Sequence, residues 1–256
     1  MRVDPFARED LDCSDFLGGR VRLWQPKTGY RAGIDPVLLA ASIPARPGQS
    51  VLELGCGAGP ALCCLGVRVP GLGLAGVDVQ DAYANLAKDN LRENRLDGDI
   101  WTSDLTELPA DLRQLSFDHV MANPPYFHEN RRRSAADAGR EAGRAGAVPL
   151  EDWVGVASRR LKPQGFATFI QRVERLPELL AAMRMSLGSL ELMPLFPREG
   201  RGPRLILARG RKGGRADFRF HSGLVLHRGK AHEGDHEHYS DAINAILREG
   251  EFLTFL

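Results

Sequence analysis

Apolar residues in this chain fall into short runs, and the runs alternate in kind. Val51-Leu52-Glu53-Leu54 reads as a buried strand. Gly55-Cys56-Gly57-Ala58-Gly59 follows as a glycine loop. Pro60 to Val67 then reads as a helix, with proline suited to its first position. Leu72 to Val77 is a second strand, ending in Asp78. Ala82 to Asn94 is a helix carrying Tyr83, Leu86, Ala87 and Leu91 at helical spacing. Ile100 to Ser103 is a third strand, ending in Asp104, and Phe117 to Ala122 a fourth. Further on, the pattern predicts a helix over Glu151–Leu161, a turn at Pro163-Gln164-Gly165 and a strand over Phe166–Ile170. A helix over Leu176–Leu187 precedes closing strands at Leu190–Leu195 and Arg204–Ala208. Tyr239 to Arg248 is a last amphipathic helix. Strand and helix in alternation predict an α/β fold, a parallel sheet with helices on both faces. Such sheets bind ligands beyond the carboxyl ends of their strands.

Ahead of this pattern, Phe16 to Ile43 forms a distinct leading segment. Gly18-Gly19 marks a turn, and Val21-Arg22-Leu23-Trp24 alternates like a short strand. Gly29 to Gly33 is a loop. Asp35-Pro36 suits the start of an apolar helix, with Asp35 as its cap. A second reading of the same stretch lays this glycine-flanked loop over a bound cofactor.

Composition narrows the class. The chain has 256 residues, 43% of them hydrophobic and 26% charged, as in ordinary globular proteins. Its net charge of +1 means that any nucleic-acid surface must be local. Four acids in the first twelve residues argue against a signal peptide, and no run of about 18 apolar residues predicts a membrane span. Cys13, Cys56, Cys63 and Cys64 form no CxxC pair and no metal-like spacing, which predicts a reduced, cytoplasmic protein with no metal. His232 to His238 is rich in histidine and acids but lacks a metal-binding helical spacing.

The strand ends carry the chemistry. Glycines at 55, 57 and 59 leave no Cβ to block a close ligand. Asp78 follows at the end of the next strand, where a carboxylate accepts from ribose hydroxyls; the plainer reading is a helix cap. Asn123-Pro124-Pro125-Tyr126 must leave the sheet, because neither proline has an N–H to donate to a ladder. The Asn123 side chain and the Pro124 carbonyl then offer two acceptors with no nearby backbone donor to occupy them. Tyr126 and Phe127 add flat rings. Together they suit a planar amino group, and the plainer reading is a proline-stiffened loop.

Glu53-Leu54-Gly55-Cys56-Gly57-Ala58-Gly59 has the spacing G-x-G-x-G, not the dinucleotide G-x-G-x-x-G, which disfavours a dehydrogenase. It resembles the S-adenosylmethionine loop of class I methyltransferases. Asn123-Pro124-Pro125-Tyr126 is similar to the motif of amino-methyltransferases acting on adenine N6, cytosine N4, guanine N2 or glutamine N5. With Phe16-Leu17-Gly18-Gly19 and Gln25 to Asp35, the chain from about Phe16 to Phe196 resembles the bacterial tRNA adenine-N6 methyltransferases that modify valine tRNA beside the anticodon, within the methyltransferase small-domain group. That resemblance implies a Rossmann-like fold with a mostly parallel seven-stranded sheet. It implies a small cap segment over residues 1–45 and a catalytic domain over 46–256. The cofactor would be S-adenosylmethionine, held by Glu53, Gly55, Gly57, Gly59, Asp78, Asp104 and Asn123, with Asp104 on the adenine amine. Asn123, Pro124 and Tyr126 would be catalytic. One departure is Asp78, where the family often has Glu, which shortens the reach and keeps the charge.

Two basic stretches bear on the partner. Arg131, Arg132 and Arg133 open a long polar stretch from His128 to Pro149. With Tyr126 and Phe127 they are the expected contacts for tRNA. Arg198, Arg201, Arg204, Arg209, Arg211, Lys212 and Arg215 bracket a hairpin and extend that face, or are simply solvated. The rival functions are guanine-N2 methylation of rRNA, glutamine-N5 methylation of protein, and an RNA-binding module without catalysis.

Overall fold

The computed structural model describes residues 5–126, 148–229 and 238–255. Phe127, Arg131, Arg132 and Arg133 lie outside the described residues, as does the 232–238 stretch except His238. The chain opens with a hairpin, β1 (Leu11–Phe16) and β2 (Val21–Pro26), that forms its own antiparallel sheet. Helix α1 (Asp35–Ser42) follows. Then come β3 (Ser50–Leu54), α2 (Pro60–Arg68), β4 (Gly73–Asp78), α3 (Asp81–Glu93) and β5 (Gly98–Thr102). The short α4 (Ala110–Gln114) leads into β6 (Phe117–Ala122). After it the chain forms α5 (Leu150–Arg160), β7 (Leu161–Arg172), α6 (Leu176–Ser186), β8 (Gly188–Arg198) and β9 (Leu205–Arg211). Two short strands, β10 (Arg219–Phe220) and β11 (Leu224–His227), precede α7 (Asp241–Asn244).

The main sheet runs β8-β9-β7-β6-β3-β4-β5, the seven strands expected, with β10 and β11 added outside β8. It is parallel from β5 to β7, and β9 alone runs antiparallel to its neighbours β7 and β8. Helices α1, α2 and α3 pack on one face, and α4, α5 and α6 on the other. Strand β7 starts five residues earlier than the alternation predicts. Pro163-Gln164-Gly165 bulges within it, as the pairing jumps from Leu161 to Phe166 between Phe117 and His119.

The order of connections reverses at β3. From β3 the chain moves outward to β4 and β5, then returns to lay β6 on the other side of β3. Such a reversal leaves a crevice at the carboxyl edge, between the loops that follow the two strands. Those loops are Gly55–Gly59 and Asn123–Tyr126.

The hairpin is fastened to the main body by α3. Asn90 accepts from the Trp24 N–H at 2.7 Å and donates to the Trp24 carbonyl at 3.0 Å. One turn on, Asn94 does the same with Arg22, at 2.9 and 2.7 Å. Four residues of helix rise about 6 Å, and two residues of strand about 6.6 Å. The two amides therefore act as a partner strand for β2.

Candidate active site

Gly55, Gly57 and Gly59 all take positive φ, at 66°, 54° and 78°. Each answers a different need. A Cβ on Gly55 would stand 2.6 Å from the Trp153 ring of α5, so glycine is required for packing. A Cβ on Gly59 would press on Ala87 of α3 at 3.3 Å. Gly57 meets nothing within 4 Å, so its bare face looks onto open space. The loop is held by Gly55 and Cys56 N–H donating to the Val77 carbonyl (2.8 and 3.0 Å) and by Asn90 donating to the Ala58 carbonyl (2.9 Å).

Asp78 ends β4 and faces this loop. Its Oδ2 accepts from Gly57 N–H and its Oδ1 from Gln80 N–H, both at 2.9 Å. Burial nevertheless raises its pKa above the ordinary carboxylate value, and the two N–H donors work against that rise. Glu53 sits behind the loop, 3% exposed. Burial pushes its pKa well above the usual carboxylate range, an N–H from Leu62 opposes this, and the Asp78 charge adds to it. Its Oε2 finds no partner among the described residues, which fits a neutral, protonated acid. Asp104 is exposed beyond β5, and its Oδ1 caps a short 3-10 turn by accepting from the Thr106 N–H (2.8 Å) and hydroxyl (2.7 Å). That oxygen is thus committed to a local cap.

Asn123–Tyr126 leaves β6 with Pro124 buried and Asn123 and Tyr126 half-buried. No backbone N–H among the described residues donates to the Pro124 carbonyl, but a side chain does. Gln171, buried near the end of β7, donates its amide N–H there at 3.2 Å. A carbonyl has two lone pairs, so one acceptor position remains. Arg175 donates to the Pro125 carbonyl at 2.9 Å and grips Glu178 with two further N–H groups. The Tyr126 hydroxyl donates to Asp35 Oδ2 at 2.5 Å. Asp35 therefore does not cap α1: Ile34 occupies the cap position, and no side chain caps that end. The Arg172 guanidinium lies 5.2 Å from the centre of the Tyr126 ring.

The structure thus brings Gly57, Asp78 and Glu53 together behind β3 and β4, and sets Asn123, Pro124 and Tyr126 at the next strand end. Sequence reasoning missed Gln171, Arg175, Asn90 and the true partner of Asp35. Gln171 did leave a signal. A glutamine in the apolar run Phe169-Ile170-Gln171 must find a hydrogen-bond partner once buried.

A doubly wound sheet with a bare glycine cradle after β3 and a buried acid after β4 is the architecture of a class I methyltransferase that uses S-adenosylmethionine. Residues 32–148 match the methyltransferase small domain. A protein of Porphyromonas gingivalis named tRNA1(Val) (adenine(37)-N6)-methyltransferase is 30% identical over 218 residues, covering 79% of this chain and 84% of that protein. A predicted O-methyltransferase of Agrobacterium tumefaciens superposes with a TM-score of 0.68 at 22% identity, over 86% of this chain and 98% of that one. The 16S rRNA N2 G1207 methyltransferase of Thermus thermophilus, solved with AdoMet and guanosine, gives 0.53 at 20% identity, over 79% and 50%. The chain belongs to the methyltransferase small-domain family, alongside the proteins named tRNA1(Val) (adenine(37)-N6)-methyltransferase. No helix among the described residues is long and apolar enough to cross a membrane.

Proposed function

We propose that this enzyme methylates the exocyclic N6 of an adenine in tRNA, working in the cytoplasm. One observation carries the reading: Asn123 and Pro124, whose carbonyl Gln171 braces, follow β6, the strand paired with the β3 that leads into the glycine cradle. S-adenosylmethionine supplies an electrophilic methyl group on a sulfonium. The fit is supported by the bare face of Gly57, which any Cβ would fill. Gly55, Gly57 and Gly59 shape the cradle, and Asp78 takes the ribose hydroxyls with its remaining lone pairs. Glu53 backs the loop, and Asp104 offers Oδ2 to the adenine amine of the cofactor. Residues 1–45 act as a cap over this site.

The chemistry of the target explains the rest. An amino group conjugated to a ring has a delocalised lone pair and is a weak nucleophile. Asn123 Oδ1 and the Pro124 carbonyl accept its two hydrogens and bias the nitrogen towards a tetrahedral form, which frees the lone pair. Tyr126 stacks on the base and aims it. The proton leaves to water after the methyl has transferred, so no strong base is required. Rate comes from geometry and oriented dipoles. Phe127, Arg131, Arg132 and Arg133 follow directly in sequence and are assigned to the RNA.

The test is to incubate the enzyme with labelled S-adenosylmethionine and separate pools of tRNA, rRNA and protein. Labelled N6-methyladenosine from tRNA is expected. Label in N2-methylguanosine or in methylglutamine would replace this reading with one of its rivals.

A further inference from the structure

Seven basic residues between Arg198 and Arg215 stand close in sequence, and the fold divides them. Arg198 ends β8, Arg204 directly precedes β9, and Arg201 lies in the turn between. All three are at the carboxyl edge, with Asn123–Tyr126. Arg209 and Arg211 lie towards the other end of β9, with Lys212 and Arg215 beyond it. The full length of β9 is six residue steps, about 20 Å. Three of this far group are engaged within the protein, and Arg215 is exposed. Arg209 Nε donates to Glu191 at 2.9 Å, Arg211 Nε to the Gln164 carbonyl at 3.1 Å, and Lys212 Nζ to the Leu161 carbonyl at 2.7 Å.

The near group continues to the catalytic motif. Arg172 is the last residue of β7 and packs beside the Tyr126 ring. Since β7, β9 and β8 are neighbours, Arg172, Arg204 and Arg198 stand on three successive strand ends. Neighbouring strands are about 4.8 Å apart. Backbone bonds fix the row: Val173 N–H to the Arg204 carbonyl (3.1 Å), Arg204 N–H to the Leu195 carbonyl (3.1 Å) and Arg201 N–H to the Arg198 carbonyl (3.2 Å). Arg172, Arg201 and Arg204 are exposed. The Arg198 guanidinium donates to the Arg228 carbonyl, and Arg228 pairs with Asp241, which closes the row. Glu174 and Glu199 are the acids beside it.

We propose that Arg172, Arg204, Arg201 and Arg198 form a rail for the phosphates of the RNA strand that carries the target base. The far group takes no part. The rail rests on the reading of the substrate as RNA. It starts at Tyr126, where the base stacks, and runs away from it along a rigid sheet edge. Arginine forks match phosphate oxygens in pairs, and such contacts set register without reading sequence.

The experiment measures binding of an unmodified bulk tRNA preparation against salt for wild type, R201A/R204A and the control R211A/R215A. Each phosphate contact in single-stranded RNA contributes about 0.7 to the logarithmic salt slope. The slope of R201A/R204A should flatten by about 1.4, with weaker tRNA binding and unchanged affinity for S-adenosylmethionine. The control should run parallel to wild type. If wild type binds and methylates tRNA and R201A/R204A shares its slope, or the control flattens as much, the rail is overturned and the RNA reading stands. If wild type shows no salt-dependent tRNA binding, the RNA reading falls and the rail falls with it.

Discussion

The Tyr126 hydroxyl and the Asp35 carboxylate meet at 2.5 Å across 91 residues of sequence, tying the end of β6 to the start of α1. Burial and the Asp35 charge both raise the pKa of Tyr126 above the usual phenol value, so the ring keeps its proton and donates it in a hydrogen bond. The ring proposed to hold the target base is thus clamped by the segment proposed to cap the site. A hydrogen bond to a charged partner contributes about 1.5–3 kcal/mol. Asp35→Ala should therefore lower turnover by about 10- to 150-fold, with unchanged cofactor affinity. Tyr126→Phe keeps the ring and removes the same bond, so it should cost a similar amount, and the double variant no more than either alone. Additive losses in the kinetic cycle would show that the two residues act separately.

Asn123→Ala should leave S-adenosylmethionine affinity nearly intact and reduce single-turnover rates by about 10²–10³, the scale for losing one oriented polar group. Gln171→Ala frees the Pro124 carbonyl to reorient. It should also lower the rate, by about 5-fold, the equivalent of a bond with a net worth of about 1 kcal/mol. Wild-type rates in either variant would remove that residue from the amino-group site.

Asp78→Ala removes a carboxylate that already holds Gly57 and Gln80. Cofactor binding should weaken by about 1.5–3 kcal/mol, the value of a hydrogen bond to a charged group. Calorimetry on the folded variant reads this directly, and unchanged affinity would take Asp78 out of the cofactor site.

His119 on β6 supplies a pH signature unrelated to catalysis. It is 3% exposed, with Nε2 3.1 Å from Gln49 Oε1, and burial above all lowers its pKa from 6.5 to about 4. Between those values the unfolded chain binds a proton that the folded chain does not. Its contribution is therefore present above pH 6.5 and lost as pH falls towards 4, by up to about 3 kcal/mol. Denaturation across this window should show the slope in wild type, and His119→Gln should flatten it. An unchanged slope in the variant would assign the acid sensitivity elsewhere.

The parallel centre of the fold was legible because strands covered on both faces read as unbroken apolar runs. Strands β3, β4 and β6 and the loops after them come straight from that pattern. Strand β1 did not, since Leu11-Asp12-Cys13-Ser14-Asp15-Phe16 lies half in solvent and carries too few apolar residues to register. Asp35 was misread for a different reason. Aspartate before proline is a strong local cap signal, and a partner 91 residues away leaves no local trace. The arginine cluster stayed open between an RNA face and a solvated edge for the same reason. Its members are close along the chain, but one strand carries them to opposite edges of the sheet.

Asn90 holds Trp24 of the hairpin with one hand and Ala58 of the glycine loop with the other. Its amide has two donors and uses them on two different segments. Whatever steadies one segment must steady the other, because free energy of coupling between two sites is reciprocal. A cofactor settling into the glycine cradle should then slow amide exchange at Trp24, and Asn90→Ala should erase that slowing. The leading hairpin, on this view, is less a lid that opens and shuts than a gauge that registers whether the cradle beneath it is filled.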